Sequence, residues 1–170
     1  LIAPDFLGMG LSDKPRSHDY TITSHAASVD ALLDALGVRE FHLVAHDLGV
    51  RVAQELLARR EQAHGHAAAI RSLVLLNGAM CPEAYRPRPI QRLLASPLGG
   101  WIAPHIPRSA FVRTVRELFG PRRPASEALI DDFWSLLQYG QGQRVTHAVG
   151  RFWTPRRALR DRLVGALLRS

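Results

Sequence analysis

Residues 43–50 of the chain read LVAHDLGV, and this stretch decides the fold. An apolar run with a β-branched member predicts a strand over 41–45, and apolar residues at helical spacing begin after Gly49. Asp47 stands between them, with small residues two positions away on either side. Such a turn between a strand and a helix is typical of a nucleophile elbow, which raises its central side chain above the sheet edge. Asp47 is therefore the first candidate catalytic residue.

A carboxylate in this position can attack a saturated carbon that bears a strained oxygen or a halide, and it then forms a covalent ester. The backbone N–H of Leu48 and the positive end of the helix dipole would stabilise negative charge that develops there. The alternative is that Asp47 simply caps the helix, a role worth about 1 kcal/mol. A cap accounts for the aspartate but not for Ala45 and Gly49, whose small size we expect to prevent clashes with backbone.

The sequence around this turn predicts an α/β fold with a parallel sheet flanked by helices. Strands that alternate with helices are typical of such sheets, because parallel strands need a long crossover connection. Gly37 predicts the end of the first helix. The expected elements are the end of a strand at Leu1–Pro4, a loop over 5–15, a helix over 23–36, a strand over 41–45, a helix over 49–60 and a strand over 70–76.

After Asn77 the pattern becomes helical throughout. Eight prolines between positions 82 and 124 divide the chain into short pieces. We predict no strand in this part. Apolar spacing predicts helices over 90–95, 109–118, 126–139, 141–152 and 156–169. The sequence thus indicates a partial α/β core over 1–77, followed over 78–170 by a helical cap and the start of a return to the core.

Charge and cysteine content limit the partners and the compartment. Residues 1–84 carry 7 basic and 10 acidic side chains, residues 85–170 carry 15 and 5, and the net charge is +7. We interpret the arginines as a solvated helical surface rather than a nucleic-acid site, because no nucleic-acid motif accompanies them. No apolar run reaches the roughly 18 residues of a membrane span. The single cysteine, Cys81, suits a reducing compartment, so we expect a cytoplasmic protein.

A second motif lies near the start of the chain, where residues 5–15 read DFLGMGLSDKP. Together with the elbow it resembles the α/β-hydrolase superfamily, and within it the epoxide hydrolase and haloalkane dehalogenase branch, whose nucleophile is an aspartate. A closer similarity is to the mesoderm-specific-transcript-like hydrolases. It rests on residues 5–8 of the second motif, DFLG, and on runs at 52–57, 119–121, 124–127 and 164–167.

The resemblance implies a two-step hydrolysis of a small apolar substrate. Asp47 would attack an electrophilic carbon, the Leu48 N–H would help to hold the developing anion, and a histidine beyond Ser170 would activate water against the ester. The family's oxyanion loop, acid and histidine have no counterpart within the chain. We therefore expect an internal piece of a larger hydrolase that is inactive alone. The resemblance implies neither a metal nor an organic cofactor.

The resemblance also indicates substrate-binding residues in the cap. Cap tyrosines of epoxide hydrolases donate hydrogen bonds to the opening epoxide oxygen, which makes Tyr139 the first candidate and Tyr85 the second. Trp134, on the same predicted helix as Tyr139, is a further candidate. The alternative is that these aromatic side chains pack between cap helices. Haloalkane dehalogenases typically carry tryptophan after the nucleophile, so Leu48 in that place argues against halide chemistry.

Two other functions stay open. One is a haloalkane or haloacid dehalogenase with a different halide clamp, and the other is a non-catalytic hydrolase-like domain that binds a partner through its basic cap. Weaker hypotheses concern a dinucleotide loop at residues 8–13, which lacks its third glycine, and a metal site at His64 and His66 beside Glu61, with no fourth ligand in view. We expect His46 to pack beneath the elbow.

Overall fold

The computed structural model describes residues 1–62, 68–78, 86–153 and 157–169. Its helices and strands are α1 (Ile22–Ala35), β1 (Glu40–His46), α2 (Leu48–Gln62), β2 (Ala69–Leu76), α3 (Pro89–Ala95), α4 (Gly99–Ile102), α5 (Arg108–Leu118), α6 (Glu127–Gln138), α7 (Thr146–Val149) and α8 (Arg157–Arg169). Short 3-10 helices cover Ala103–His105, Tyr139–Arg144 and Gly150–Trp153. These elements belong to two compact units: the sheet unit, Tyr20–Pro87 with Phe152–Ser170, and the helical unit, Leu1–Asp19 with Arg88–Arg151.

Two parallel strands form the centre of the sheet unit. β1 and β2 pair in parallel with one register shift after Phe41, and α2 connects them. This pairing confirms the predicted parallel α/β core. α1 begins after Thr21, whose hydroxyl accepts the Ser24 N–H at 3.2 Å, and the predicted stop, Gly37, follows its end with a φ of 65°.

One face of α2 packs on the sheet. Side chains alternate along a strand, so every second residue of β1 points towards this helix. On the opposite face, Val44 and Val74 are 67% and 46% exposed. The packed cluster consists of Ala45, Val50 and Ala53, with Leu43, Leu73 and Leu75 against it. This packing fixes the direction in which α2 leaves the end of β1.

Charged side chains also hold α2 in place. Glu55 is 1% exposed and accepts hydrogen bonds from Arg59 Nε at 3.2 Å and from two nitrogens of Arg162 on α8 at 3.0 Å each. Arg59 and Arg60 both pair with Asp30 on α1. A buried carboxylate needs such partners, because its desolvation costs several kcal/mol. The network ties α1 and α8 to α2.

The helical unit contains α3 to α7. The helices predicted over 90–95, 109–118 and 126–139 are present to within one residue at each end. The single helix predicted over 141–152 is wrong, because Gly140 and Gln141 have φ values of 57° and 60°. Left-handed residues cannot continue a right-handed helix. Two 3-10 helices on either side of α7 take its place. The short α4 was not predicted.

The strand predicted at Leu1–Pro4 is also wrong. These residues are exposed, and neither β1 nor β2 pairs with them. A strand needs a neighbour for its backbone N–H and C=O groups, which is why an apolar run alone does not form one. The division into a core over 1–77 and a cap over 78–170 stays a prediction. The two compact units group the residues differently, with α8 in the sheet unit.

Two expectations about the cellular setting have different outcomes. Within the described ranges, no helix is both long and apolar enough to cross a membrane. Cys81, on which the cytoplasmic location was based, lies outside the described residues. That location therefore stays a prediction.

Candidate active site

Asp47 is the one residue between β1 and α2. The strand ends at His46 and the helix begins at Leu48. The Asp47 N–H donates to the carbonyl oxygen of Leu76, at the end of β2, over 3.2 Å, and the Asp47 carbonyl oxygen accepts the Val50 N–H at 3.1 Å. These hydrogen bonds hold the turn on both sides, and the Asp47 side chain is exposed. The sheet therefore presents a carboxylate at the carboxyl end of its strands.

The backbone of Asp47 distinguishes this turn from an ordinary helix cap. Its φ is 49°, in the left-handed region that costs a residue with a side chain about 1–2 kcal/mol. Thr21 and Ser126, the N-caps of α1 and α6, have φ values of −84° and −70° with extended backbone, as N-caps usually do. The left-handed backbone of Asp47 therefore argues against an ordinary cap. Backbone strain of this kind is concentrated at functional sites.

The small residues near Asp47 act differently from our expectation. A Cβ on Gly49 would lie 3.8 Å from the Cβ of Ala45. That distance is an ordinary van der Waals contact, so the expected clash with backbone is wrong there. The tight approach lies at the end of β2, where a Cβ on Gly78 would come within 2.3 Å of the Val50 Cβ. Glycine at 78 thus lets the buried Val50, in the first turn of α2, pack against the end of the neighbouring strand.

Leu48 begins α2 and supplies the N–H that follows the carboxylate. The first N–H groups of a helix have no carbonyl partner within it, and none of the described residues accepts the Leu48 N–H. The Leu48 side chain is only 8% exposed, so packing fixes the residue while its N–H stays available to an anion. His46 does not pack beneath the elbow. It is exposed, because it points to the sheet face opposite Ala45.

Asn77 is a candidate that the sequence analysis missed. It follows β2 as Asp47 follows β1, and His46 is paired with Leu76 at the strand ends. Asn77 is exposed and has a φ of 45°. An Asn-Gly pair directly after a predicted strand was the available signal. Its side-chain amide, which can both donate and accept hydrogen bonds, adds a second polar group to the strand ends that carry Asp47.

The two described aromatic candidates have different surroundings. Trp134 on α6 packs on Phe111 of α5, with ring centroids 5.2 Å apart, which favours the packing alternative for this residue. Tyr139 directly follows α6 and is 52% exposed, and the Nζ atom of Lys14 lies 4.9 Å from its ring centroid. Tyr85 lies outside the described residues. Substrate binding by these three residues stays a prediction.

The glycine-rich loop near the start of the chain closes around a carboxylate. Asp5 Oδ2 accepts the Leu11 N–H at 2.8 Å. A Cβ on Gly10 would lie 2.1 Å from the same oxygen, so this closure requires glycine. Because an anion is already held there, the loop is unsuited to a phosphate. The spacing from Asp5 to Gly10 therefore serves local structure.

The described residues contain no candidate metal site. Residues 1–62, 68–78, 86–153 and 157–169 hold no group of three or more His, Cys, Asp or Glu side chains that could bind an ion. His64 and His66 lie outside these ranges. The absence of a metal and of an organic cofactor stays an expectation.

Comparison with known proteins gives the chain its family. A family model described as alpha/beta hydrolase fold matches residues 1–97. The mesoderm-specific transcript homolog protein of Bos taurus is 40% identical over 173 residues, which cover 98% of this chain and 51% of that protein. The putative hydrolase LipZ of Mycobacterium tuberculosis is 38% identical over 147 residues, which cover 86% of this chain and 50% of that protein.

A solved structure supports the same fold. The haloalkane dehalogenase DbeA from Bradyrhizobium elkani has a TM-score of 0.72 and 24% identity, over 98% of this chain and 57% of that one. The chain spans about half the length of the curated relatives it matches. The family model, the relatives and the parallel sheet around Asp47 agree, and the chain belongs to the alpha/beta hydrolase fold family.

Proposed function

We propose that the full-length protein is a hydrolase whose nucleophile is Asp47, and that it opens epoxides of small apolar molecules through a covalent aspartyl ester. The observation that carries the proposal is the left-handed backbone of Asp47 between β1 and α2, with its carboxylate exposed. A strained residue persists only where its surroundings hold it, and strain is concentrated where a side chain has a task.

In the first step, a carboxylate oxygen of Asp47 attacks one carbon of the epoxide ring. The new C–O bond forms an alkyl ester while the ring C–O bond breaks and leaves its electron pair on the ring oxygen. That oxygen needs a hydrogen-bond or proton donor as its charge develops. We assign this role to the phenol of Tyr139, with Tyr85 as the second candidate.

In the second step, water attacks the carbonyl carbon of the ester. A histidine outside residues 1–170 takes the proton of the water, and the Leu48 N–H donates to the oxyanion that forms. Collapse of this intermediate breaks the ester C–O bond, and the leaving alkoxide takes one proton to complete the diol. The second proton returns to the phenolate oxygen, and the Asp47 carboxylate is restored with one oxygen taken from water. This exchange distinguishes the aspartyl mechanism from direct attack of water on the substrate.

Epoxides fit the residues better than haloalkanes do. A leaving halide ion is stabilised by N–H donors rather than by a proton. The side chain of Leu48, next to the nucleophile, has no N–H group. An epoxide oxygen can use a single phenol donor. Tyr139, which is 52% exposed, has a hydroxyl suited to that use.

The test is turnover of full-length protein in heavy-oxygen water, with a panel of aryl and alkyl epoxides beside haloalkanes of similar size. We expect turnover of epoxides and one heavy oxygen in the peptide that contains Asp47. Asp47→Ala should abolish turnover, whereas Asp34→Asn, at an exposed carboxylate on α1, should not. Turnover without label would refute the ester, and faster turnover of haloalkanes would assign the dehalogenase reaction. Failure with both classes would favour a non-catalytic binding domain.

A further inference from the structure

Lys14 closes the loop that precedes α1. Its Nζ donates to the carbonyl oxygens of Gly10 and Ser12, each at 2.7 Å. Asp5 closes the same loop from the other side by accepting the Leu11 N–H. Two short bonds to backbone oxygens leave the ammonium group with one N–H direction to spare. The loop therefore holds Lys14 in one orientation.

The remaining side of the Lys14 ammonium faces Tyr139. The Nζ atom lies 4.9 Å from the ring centroid, within the distance of a cation–π contact. Burial lowers the pKa of Lys14, and Asp5 and Asp13 oppose that effect by stabilising its charge. The ring face thus takes the place of water that the partly buried cation has lost.

Gly142, three residues after Tyr139, makes room for this contact. A Cβ on Gly142 would lie 2.6 Å from Lys14 Cε, and a Cβ on Gly140 would lie 3.7 Å from Lys14 Cδ. The lysine stem therefore runs directly along the segment that follows the tyrosine. A separate hydrogen bond, from Arg16 Nη2 to Gln141 Oε1 at 2.8 Å, joins the same two segments.

We propose that Lys14 is a positioning residue for Tyr139, and that its ammonium group holds the phenol ring by its face and leaves the hydroxyl to act on a substrate. The inference rests on the proposed function, in which Tyr139 assists epoxide opening. Tyr139 is 52% exposed and follows the last residue of α6, so helix packing does not fix its ring. The cation above the ring face supplies the missing restraint without using the hydroxyl.

The first experiment needs no activity. Full-length protein with 3-fluorotyrosine at position 139 should give one fluorine resonance, and Lys14→Met should shift and broaden it. Arg122→Met removes an exposed cation of the same unit and should leave the line unchanged. A Lys14→Met spectrum identical to the wild type would overturn the proposal, whereas Lys14→Arg should restore the line.

The second experiment measures steady-state turnover of an epoxide. Lys14→Met should lower kcat about tenfold with little change in KM, about as much as Tyr139→Phe, and the double variant should be no slower than either. Full activity in Lys14→Met, or additive losses of kcat in the double variant, would overturn the positioning role of Lys14. Heavy-oxygen label in Asp47 would support the ester in either case. Absence of that label in the wild type would refute the proposed function, and the fluorine spectra would still decide whether Lys14 holds the ring.

Discussion

Replacement of Asp47 by threonine and by glycine tests whether the turn before α2 is strained. Aspartate, threonine and glycine are nearly equivalent at a true N-cap, where the backbone is extended and a short side chain accepts an N–H. They differ strongly at a φ of 49°, because a β-branched side chain collides with the backbone in the left-handed region and glycine does not. The order of stabilities therefore reports the conformation.

The expected magnitudes follow from the two costs involved. Left-handed backbone costs a residue with a side chain about 1–2 kcal/mol, and aspartate lies at the low end of this range. Glycine removes that cost but adds roughly 0.5–1 kcal/mol of chain entropy to the unfolded state. Asp47→Gly should therefore change the free energy of unfolding by less than about 0.5 kcal/mol. Asp47→Thr should be about 1–2 kcal/mol less stable than Asp47→Gly.

Urea unfolding of the full-length protein, followed by circular dichroism, measures both variants. Thr21 supplies the matched control, because it is a genuine N-cap with a φ of −84° and a bound Ser24 N–H. Thr21→Gly should change the free energy of unfolding by only a few tenths of a kcal/mol. If the threonine and glycine variants at position 47 were equally stable to within about 0.3 kcal/mol, the strained-turn argument would be refuted.

Three further predictions concern buried charge, pH and close packing. Arg162→Met should lower the free energy of unfolding by about 2 kcal/mol, because the buried Glu55 loses two hydrogen bonds; an unchanged urea midpoint would contradict this. Burial raises the pKa of the Tyr20 phenol above its usual 10.0. Above pH 10 the folded state therefore keeps a proton that the unfolded state releases. The protein's free energy of unfolding falls as the pH rises from 10 through the raised pKa. In urea titrations between about pH 9 and 11, the free energy of unfolding of Tyr20→Phe should fall less steeply with pH than that of the wild type. An equally steep fall in the variant would contradict this prediction. Gly99→Ala should lower the Tm by several degrees, because its Cβ would lie 1.8 Å from a backbone oxygen, whereas Gly120→Ala has open space and should not; equal shifts in calorimetry would refute the packing argument.

The elements that could be predicted are those whose signals lie within a few residues of each other. α1 could be bounded because its apolar spacing ends at Gly37, which alone supplies the left-handed residue after the helix. β1 and α2 could be placed because a short apolar run ends just before Asp47 and helical spacing begins just after it. The position of the candidate nucleophile therefore followed from local pattern.

The features that could not be predicted depend on contacts between distant residues or on backbone angles. Apolar spacing favoured a helix over 141–152, and nothing in that spacing reports that Gln141, a residue with a side chain, takes a φ of 60°. Lys14 and Tyr139 lie 125 positions apart, and the lysine looked like part of a loop motif. Pairing between them is visible only when the loop and the segment after α6 are folded together.

The elbow motif around Asp47 does not include all the residues that hold Asp47 in place. The N–H of the strained residue bonds to Leu76 at the end of β2, and Val50 packs where Gly78 has no side chain. A larger residue at 78 would push away the first turn of α2, and the Leu48 N–H would move with it. The Asp47 carboxylate and the Leu48 N–H are therefore positioned by the ends of both strands rather than by the turn alone. Asn77 and Gly78 belong with the elbow in any sequence pattern that seeks this site.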